Sequence, residues 1–127
     1  MSTSNPGGKV GIEPYYNNQE IQWEEPAKFY AGCVGPGWVP LLLELTGKLF
    51  FLGWDGKLAQ VKEKFGTLRF YFANNIPGIA GEIAWDLVAH AEMLSEQTCE
   101  ACGGYGKLRG VGWLKTRCDE CWEKEQK

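Results

Sequence analysis

Four of the five cysteines lie near the C-terminus in two Cys-x-x-Cys pairs, Cys99 with Cys102 and Cys118 with Cys121. Fifteen residues separate the pairs, a spacing typical of four thiolates that share one tetrahedral zinc ion. Clustered cysteines of this kind fit a metal site in a reducing compartment better than a framework of disulfide bonds. Because four sulfurs leave no coordination position open for water, the sequence predicts a structural Zn²⁺ and not a catalytic one.

The segment between the two pairs is basic and contains aromatic residues, with no acid from 103 to 117. Its candidate partner-binding residues are Lys107, Arg109, Trp113, Lys115 and Arg117. Cations interleaved with aromatics are typical of a nucleic-acid surface. Alternatively, the cations offset the charge of the tetrathiolate and of nearby acids, while Trp113 packs this segment onto the rest of the domain. We favour the second interpretation, because four cations provide only a modest phosphate footprint.

Other catalytic constellations are absent from the sequence. It contains no P-loop, no dinucleotide-binding glycine motif after a strand and no His-Glu-x-x-His motif. The single histidine, His90, lies at the edge of a predicted helix face, where packing or exposure is commoner than catalysis. Cys33 has no second cysteine or histidine close in sequence, so we interpret it as a small buried residue. We therefore expect that the protein is not an enzyme.

A β-hairpin is predicted over residues 61–72, where apolar and polar residues alternate on both sides of Gly66-Thr67. With these two residues as the turn, Lys64 would lie opposite Arg69, and both would share a solvent face with Lys62. Like charges across strands repel, so an anion is expected nearby. We favour an internal acid such as Glu82, Glu92 or Glu96 over an external ligand. On the opposite, core face, Glu63 needs a partner at the sheet edge or has a functional role.

Two amphipathic helices flank this hairpin. The first follows Gly35-Pro36-Gly37 and ends near Gly53, and the second runs to about Gln97. The apolar face predicted for the second helix consists of Ile79, Ile83, Leu87, Ala91 and Leu94. The predicted fold is α+β, with two helices packed on a small antiparallel hairpin. We divide the chain into an N-terminal arm (1–34), an α+β core (35–98) and a zinc knuckle (99–127).

The N-terminal arm is rich in glycine, proline and asparagine, yet it carries the large side chains of Tyr15, Tyr16 and Trp23. A purely solvated tail does not need such residues, so the arm either lies across its own domain or docks on a partner. We favour the first alternative, because packing on the chain's own core is the commoner use of scattered aromatic residues.

Length and composition set the remaining bounds. A chain of 127 residues that is 44% hydrophobic is consistent with one compact domain. Thirteen basic and 16 acidic residues give a net charge of -3, which does not indicate a polyanion binder. No apolar run is long enough for a membrane span, and the first residues lack the apolar segment of a signal peptide, so we expect a cytoplasmic protein.

The run from Val61 to Tyr71, Val-Lys-Glu-Lys-Phe-Gly-Thr-Leu-Arg-Phe-Tyr, is followed by a predicted helix, Thr98-Cys-Glu-Ala-Cys102, Gly112-Trp113-Leu114 and Cys118-Asp119. These motifs resemble a group of small uncharacterised proteins of bacteria, prophages and phages, over residues 38 to 122. The motifs are specific as a signature of this group, but the group carries no biochemical assignment. In some relatives the last ligand is a histidine, whereas Cys121 stands here. A phage-type setting implies small proteins that act in the bacterial cytosol and disable or redirect a host complex, including anti-CRISPR and other anti-defence inhibitors.

These observations favour a non-enzymatic, zinc-stabilised module that binds a protein. With the resemblance, we expect it to inhibit a bacterial defence or nucleic-acid-processing complex. Six tryptophans and five tyrosines support this interpretation, because such residues dominate the energetics of protein interfaces. The alternative is a nucleic-acid-binding zinc module that uses the basic 103–117 loop together with the hairpin. The sequence does not determine the oligomeric state.

Overall fold

The computed structural model describes residues 25–126. Their fold is α+β, as predicted. Within this range, four helices and two hairpins follow in chain order, and a 3₁₀ turn at Pro36–Trp38 precedes the second helix: α1 Pro26–Ala31, α2 Val39–Phe51, β1 Leu58–Lys64, β2 Thr67–Phe72, α3 Gly78–Ser95, β3 Lys107–Arg109, β4 Lys115–Arg117 and α4 Asp119–Glu125. Each hairpin forms its own two-stranded antiparallel sheet. The arm residues Tyr15, Tyr16 and Trp23 lie outside the described residues.

The first helix, α1, falls within the range 1–34 that the sequence assigned to the arm. Its Tyr30 is completely buried, and the Tyr30 hydroxyl lies 2.6 Å from Thr46 Oγ1 on α2. Val34 is also buried in the same core. A helix of six residues is too short to show an apolar period, which is why the sequence did not reveal it. Residues 26–34 therefore belong to the packed core.

Helix α2 corresponds to the first of the two predicted helices and matches that prediction closely. It begins directly after the 3₁₀ turn and ends at Phe51, two residues before Gly53. Trp38, Leu42, Leu45 and Leu49 are buried, as the three- and four-residue spacing predicts. Burial of each such leucine contributes roughly 1.5–3 kcal/mol, so this face is a main source of the core's stability.

The first hairpin forms, but its turn lies one residue earlier than predicted, so each residue of β2 pairs with a β1 residue two positions before the predicted one. Its two-residue turn is Phe65-Gly66, so Lys64 lies opposite Thr67, and Arg69 lies opposite Lys62. Both turn residues have positive φ, 55° at Phe65 and 84° at Gly66, as a type I′ turn requires. The prediction placed the glycine first in the turn, whereas the structure places it second.

The buried face of α3 overlaps the predicted one only in part, since Ala91 is buried and Leu87 is partly buried against the core. Ile79, Ile83 and Leu94 are exposed, whereas the buried residues are mostly small. The buried set is Gly81, Ala84, Val88, Ala91 and Ser95. Small residues let the helix approach its neighbours closely, and a Cβ at Gly81 would lie only 2.1 Å from the Ile76 carbonyl oxygen. Close approach, and not hydropathy, therefore sets the orientation of α3.

Candidate metal centre

The four cysteines of the two pairs come together at one point. The Sγ atoms of Cys99, Cys102, Cys118 and Cys121 all lie within 4.8 Å of one another. The sulfurs of Cys102 and Cys118 are 3.7 Å apart. A tetrahedron with metal–sulfur bonds of about 2.3 Å requires sulfurs about 3.8 Å apart, so the four thiols fit a single ion of this kind. The geometry could therefore hold a metal ion.

Local backbone structure positions these sulfurs. After Cys102, Gly103 adopts a φ of 85°, and the Gly104 N–H donates to Cys102 Sγ over 3.4 Å. Cys118 caps the N-terminus of α4, where its Sγ accepts a hydrogen bond from the Cys121 N–H at 3.3 Å. These amide donors stabilise thiolate sulfur, which is the form that binds metals.

The pKa values of the thiols in the cluster are shifted in opposite directions. Burial raises the pKa of Cys99, but hydrogen bonds from the backbone at Cys118, Cys102 and Ala101 outweigh it and lower this pKa to about 6. In contrast, a hydrogen bond with Cys118 raises the pKa of Cys121 to about 12. Negative charge on one sulfur therefore opposes ionisation of the next, and a bound cation would remove this opposition.

The knuckle, residues 99–126 of the described chain, is joined to the α+β core by main-chain contacts. The Gly37 N–H donates to the Glu100 carbonyl oxygen at 2.7 Å, and the Gly35 N–H donates to Glu100 Oε2 at 2.9 Å. A Cβ at Gly37 would lie 2.0 Å from the Cys99 carbonyl oxygen, so only glycine permits this approach. The Gly35-Pro36-Gly37 sequence therefore allows the knuckle backbone to pack against the start of α2. The sequence alone predicts only a helix boundary at these residues and does not reveal this role.

A second contact joins the knuckle to the first hairpin. Thr116 is completely buried, and its Oγ1 donates to the Gly66 carbonyl oxygen at 2.6 Å. The absence of a side chain at Gly66 leaves room for Leu108 Cδ1, which would lie 2.5 Å from a Cβ there. The turn of the first hairpin therefore packs against the strands of the second hairpin.

Three of the four predicted basic residues of the knuckle form ion pairs within it. Arg109 pairs with Asp119, Lys115 Nζ lies 3.2 Å from Glu125, and Arg117 Nε lies 2.6 Å from Glu125. The hydrogen bond from Arg117 lowers the pKa of Glu125 below its usual range. Within residues 25–126, Lys107 forms no ion pair. The favoured interpretation, that these cations offset local negative charge, thus agrees with the pairs of Arg109, Lys115 and Arg117.

The same interpretation was wrong about Trp113, which does not pack onto the domain. Its side chain is 78% exposed, and that of neighbouring Val111 is 99% exposed. Gly110 and Gly112, with φ values of 106° and 81°, direct the chain through a tight loop that carries these side chains outward. Leu108 contacts the core hairpin in place of Trp113.

The hairpin cations also differ from their prediction. Lys62, Lys64 and Arg69 share one face, but none of them forms an ion pair with an acid within residues 25–126. The favoured internal acids do not reach them: Glu92, for example, accepts a hydrogen bond from the Phe70 N–H at 2.9 Å. That bond belongs to the other edge of β2, so Lys62, Lys64 and Arg69 have no carboxylate partner among residues 25–126.

The isolated candidates have structural explanations. Glu63 Oε2 accepts a hydrogen bond from the Gly66 N–H at 2.7 Å, so this carboxylate closes the hairpin turn. Burial raises the pKa of Cys33, whose Sγ lies 3.4 Å from the Phe29 carbonyl oxygen, and neither feature activates a nucleophile. His90 is exposed on α3 beside Leu87 and Leu94.

Among residues 25–126 we find no helix with the length and apolar character that a membrane crossing needs. Comparisons of the chain with protein-family models, with curated proteins and with solved structures found no match.

Proposed function

We propose that the protein is a non-enzymatic protein-binding module whose surface is held in shape by a structural zinc ion. Cys99, Cys102, Cys118 and Cys121 would hold the ion. Four sulfur ligands suit zinc and leave it no open position, so its contribution is to folding. The chain's own residues then supply the binding surface.

The observation that carries the proposal is the exposure of apolar side chains at the turn of the first hairpin and on the second hairpin, which packs against that turn. We call this surface the apolar tip, and it consists of Phe65, Leu108, Val111 and Trp113. Their exposed fractions are 63%, 46%, 99% and 78%. Scattered apolar residues are ordinary on protein surfaces, but a group on adjoining elements is typical of an interaction site. Tryptophan in particular is enriched among the residues that dominate binding energy at protein interfaces.

The charges of the knuckle favour a protein partner over nucleic acid. Arg109, Lys115 and Arg117 are engaged by Asp119 and Glu125, so they are less available for phosphate groups. Tight phosphate binding uses several free cations, and the strength of that binding falls steeply as they are lost. In the 103–117 loop, Lys107 is left to serve the nucleic-acid alternative.

On the resemblance described above, we propose that the module acts in the cytosol of a bacterial host, as a phage or prophage product. In that setting, the partner would be a protein of a host defence or nucleic-acid-processing complex, and binding would inhibit it. Inhibition of this kind needs surface complementarity and no catalytic group, in agreement with the site's composition.

The proposal is tested by affinity capture from a bacterial lysate, with and without nuclease. We expect the wild-type chain to retain host proteins after nuclease treatment and the double variant Val111→Ser, Trp113→Ala to lose them. Phe51→Ala is the matched control, because Phe51 is 91% exposed on α2, outside the apolar tip. Zinc content and circular dichroism should be unchanged in all three. Capture that disappears with nuclease would favour the nucleic-acid alternative.

A further inference from the structure

The outer face of the first hairpin carries an unusual arrangement of charge. Lys62 on β1 lies directly opposite Arg69 on β2, and Lys64 lies two residues along the same face. We call these three residues the basic face. The opposite face of the same strands carries Val61, Leu68 and Phe70 and is buried in the core.

Considered over residues 25–126, the charge arrangement of the basic face is unfavourable. Like charges directly opposite each other on neighbouring strands repel and destabilise the sheet. Within the described residues, no carboxylate forms an ion pair with Lys62, Lys64 or Arg69 to offset this repulsion. The cations of the knuckle contrast with them, since Arg109, Lys115 and Arg117 are each paired. The basic face is therefore suited to an anion from outside the described chain.

The basic face is continuous with the apolar tip. Lys64 Nζ lies 5.5 Å from the centroid of the Phe65 ring. Gly66, the next residue, contacts Leu108 and accepts the hydrogen bond of Thr116 from the knuckle. One molecule bound at this turn would thus meet apolar groups and cations side by side.

We propose that the partner presents an acidic peptide segment, whose Asp or Glu carboxylates bind Lys62 and Arg69 while an adjacent apolar side chain packs on the apolar tip. This inference rests on the proposed protein-binding function. Arginine binds a carboxylate with two parallel hydrogen bonds, and residues opposite each other on paired strands lie only about 5 Å apart. Such a compact pair matches one or two carboxylates better than the extended track of a nucleic-acid backbone.

The first test uses Lys62→Glu, which places a carboxylate opposite Arg69. Because this change converts repulsion into attraction, we expect the midpoint of urea unfolding to rise while binding weakens. Lys28→Glu is the matched control for net charge, since Lys28 is exposed on α1. A lower midpoint for Lys62→Glu than for Lys28→Glu would overturn the premise that the two cations repel without an internal partner.

The second test follows backbone amide resonances of the full chain during titration with three probes. The probes are a 12-residue peptide of Glu with a central Leu-Phe, the same peptide with Gln in place of Glu, and the oligonucleotide dT12. We expect the acidic peptide to shift amides at 60–71 and 107–114, with at least fivefold tighter binding than the Gln peptide. The variant Lys62→Glu, Arg69→Glu should lose at least fivefold in affinity, and Lys28→Glu should not.

Several outcomes would overturn the proposal. Tighter binding of dT12 on the same amides would assign the face to nucleic acid, and unchanged hairpin amides with the acidic peptide would show that carboxylates are not its ligand. Amide shifts at 60–71 that the substitutions Glu20→Gln and Glu24→Gln cause relative to wild type, with no probe added, would assign the basic face to acids of this chain. In the lysate experiment, the double variant Val111→Ser, Trp113→Ala (the Trp113 variant) could lose capture while the double variant Lys62→Glu, Arg69→Glu retains it. That result would refute this inference and leave the proposed function standing. Undiminished capture by the Trp113 variant would refute the proposed function itself.

Discussion

Ser95 on α3 completes the outer edge of β2: its Oγ accepts a hydrogen bond from the Leu68 N–H at 2.9 Å and donates to the Glu92 carbonyl oxygen at 2.5 Å. Two residues further along the strand, the Glu92 carboxylate accepts from the Phe70 N–H. Helix side chains thus bond to amides at the strand edge that could otherwise pair with another strand.

Ser95→Ala removes the acceptor of a buried N–H, because both Ser95 and Leu68 are completely buried. We expect a loss of about 1–3 kcal/mol in the free energy of unfolding, measured by urea denaturation. Glu92→Gln is the control, since its amide oxygen can still accept from Phe70 and should change stability less. A Ser95→Ala loss no larger than that of Glu92→Gln would show that the hydroxyl is not needed at this edge.

Gly37→Ala places a methyl group against the main chain of the knuckle, where a Cβ would lie 2.0 Å from the Cys99 carbonyl oxygen and 2.4 Å from the Gly103 nitrogen. Backbone atoms cannot move aside cheaply, so we expect a loss of roughly 1–3 kcal/mol in the free energy of unfolding, as for overpacked cores. Gly47→Ala has open space and lies inside α2, so it should gain about 0.5–1 kcal/mol. If thermal denaturation gives the same stability change for both substitutions, the close approach of Gly37 to the knuckle backbone is refuted.

Cys118→Ser should abolish metal binding, because three thiolates leave the tetrahedral shell incomplete. Native mass spectrometry is expected to show one zinc ion per wild-type chain and none in the variant. Hydrogen exchange should speed up most at residues 99–126 and less in the hairpin of β1 and β2, which has apolar contacts of its own. Cys33→Ser is the control and should retain the ion. Uniform loss of protection would show that the whole fold depends on the metal.

Phe65→Asn should stabilise the first hairpin. Phe65 has a φ of 55°, which is unfavourable for a bulky residue, and Asn-Gly is the preferred pair for a type I′ turn. We expect a gain of about 0.5–1 kcal/mol in the free energy of unfolding. Phe51→Asn serves as a control for removing an exposed apolar side chain from the surface. A stability change equal to that of the control would mean that the backbone conformation at Phe65 carries no cost.

Glu125 should make stability depend on pH. Its hydrogen bond with Arg117 lowers the folded-state pKa below the unfolded value, so the unfolded chain binds more protons in acid. The stabilisation is complete above the unfolded pKa of about 4.3 and is lost as the pH falls through the folded value. Because the thiolates also bind protons in acid, the carboxyl should be followed by its own carbon resonance. Arg117→Gln should raise the titration midpoint, whereas Lys28→Gln should not, and an equal midpoint in both would refute the pairing.

The sequence was sufficient to predict the features that depend on spacing and strong apolar periodicity. The cysteine pairs predicted one four-sulfur cluster, and the leucines of α2 predicted its buried face. The face of α3 could not be predicted in this way, because Gly81, Ala84 and Ser95 are buried for their small size while Ile79 remains exposed. The hairpin register depended on whether Gly66 stood first or second in the turn, a choice that periodicity alone does not make. The prediction that Trp113 packs onto the domain was wrong, because aromatic residues are common both in cores and at interfaces, and the sequence does not distinguish the two.

The hydrogen bond between Thr116 and Gly66 couples the ligand occupancy of one element to the geometry of another. Metal that binds the folded knuckle and not the unfolded one adds a free energy that grows with the logarithm of its concentration. A metal ion bound to the knuckle would therefore also stabilise the turn of the first hairpin through Thr116, and the start of α2 through Gly37 and Glu100. The position of Leu108 relative to Lys64 and Phe65 would then depend on the free metal concentration. In a metal-starved cell, the chain would keep much of its core and lose the alignment of its two hairpins.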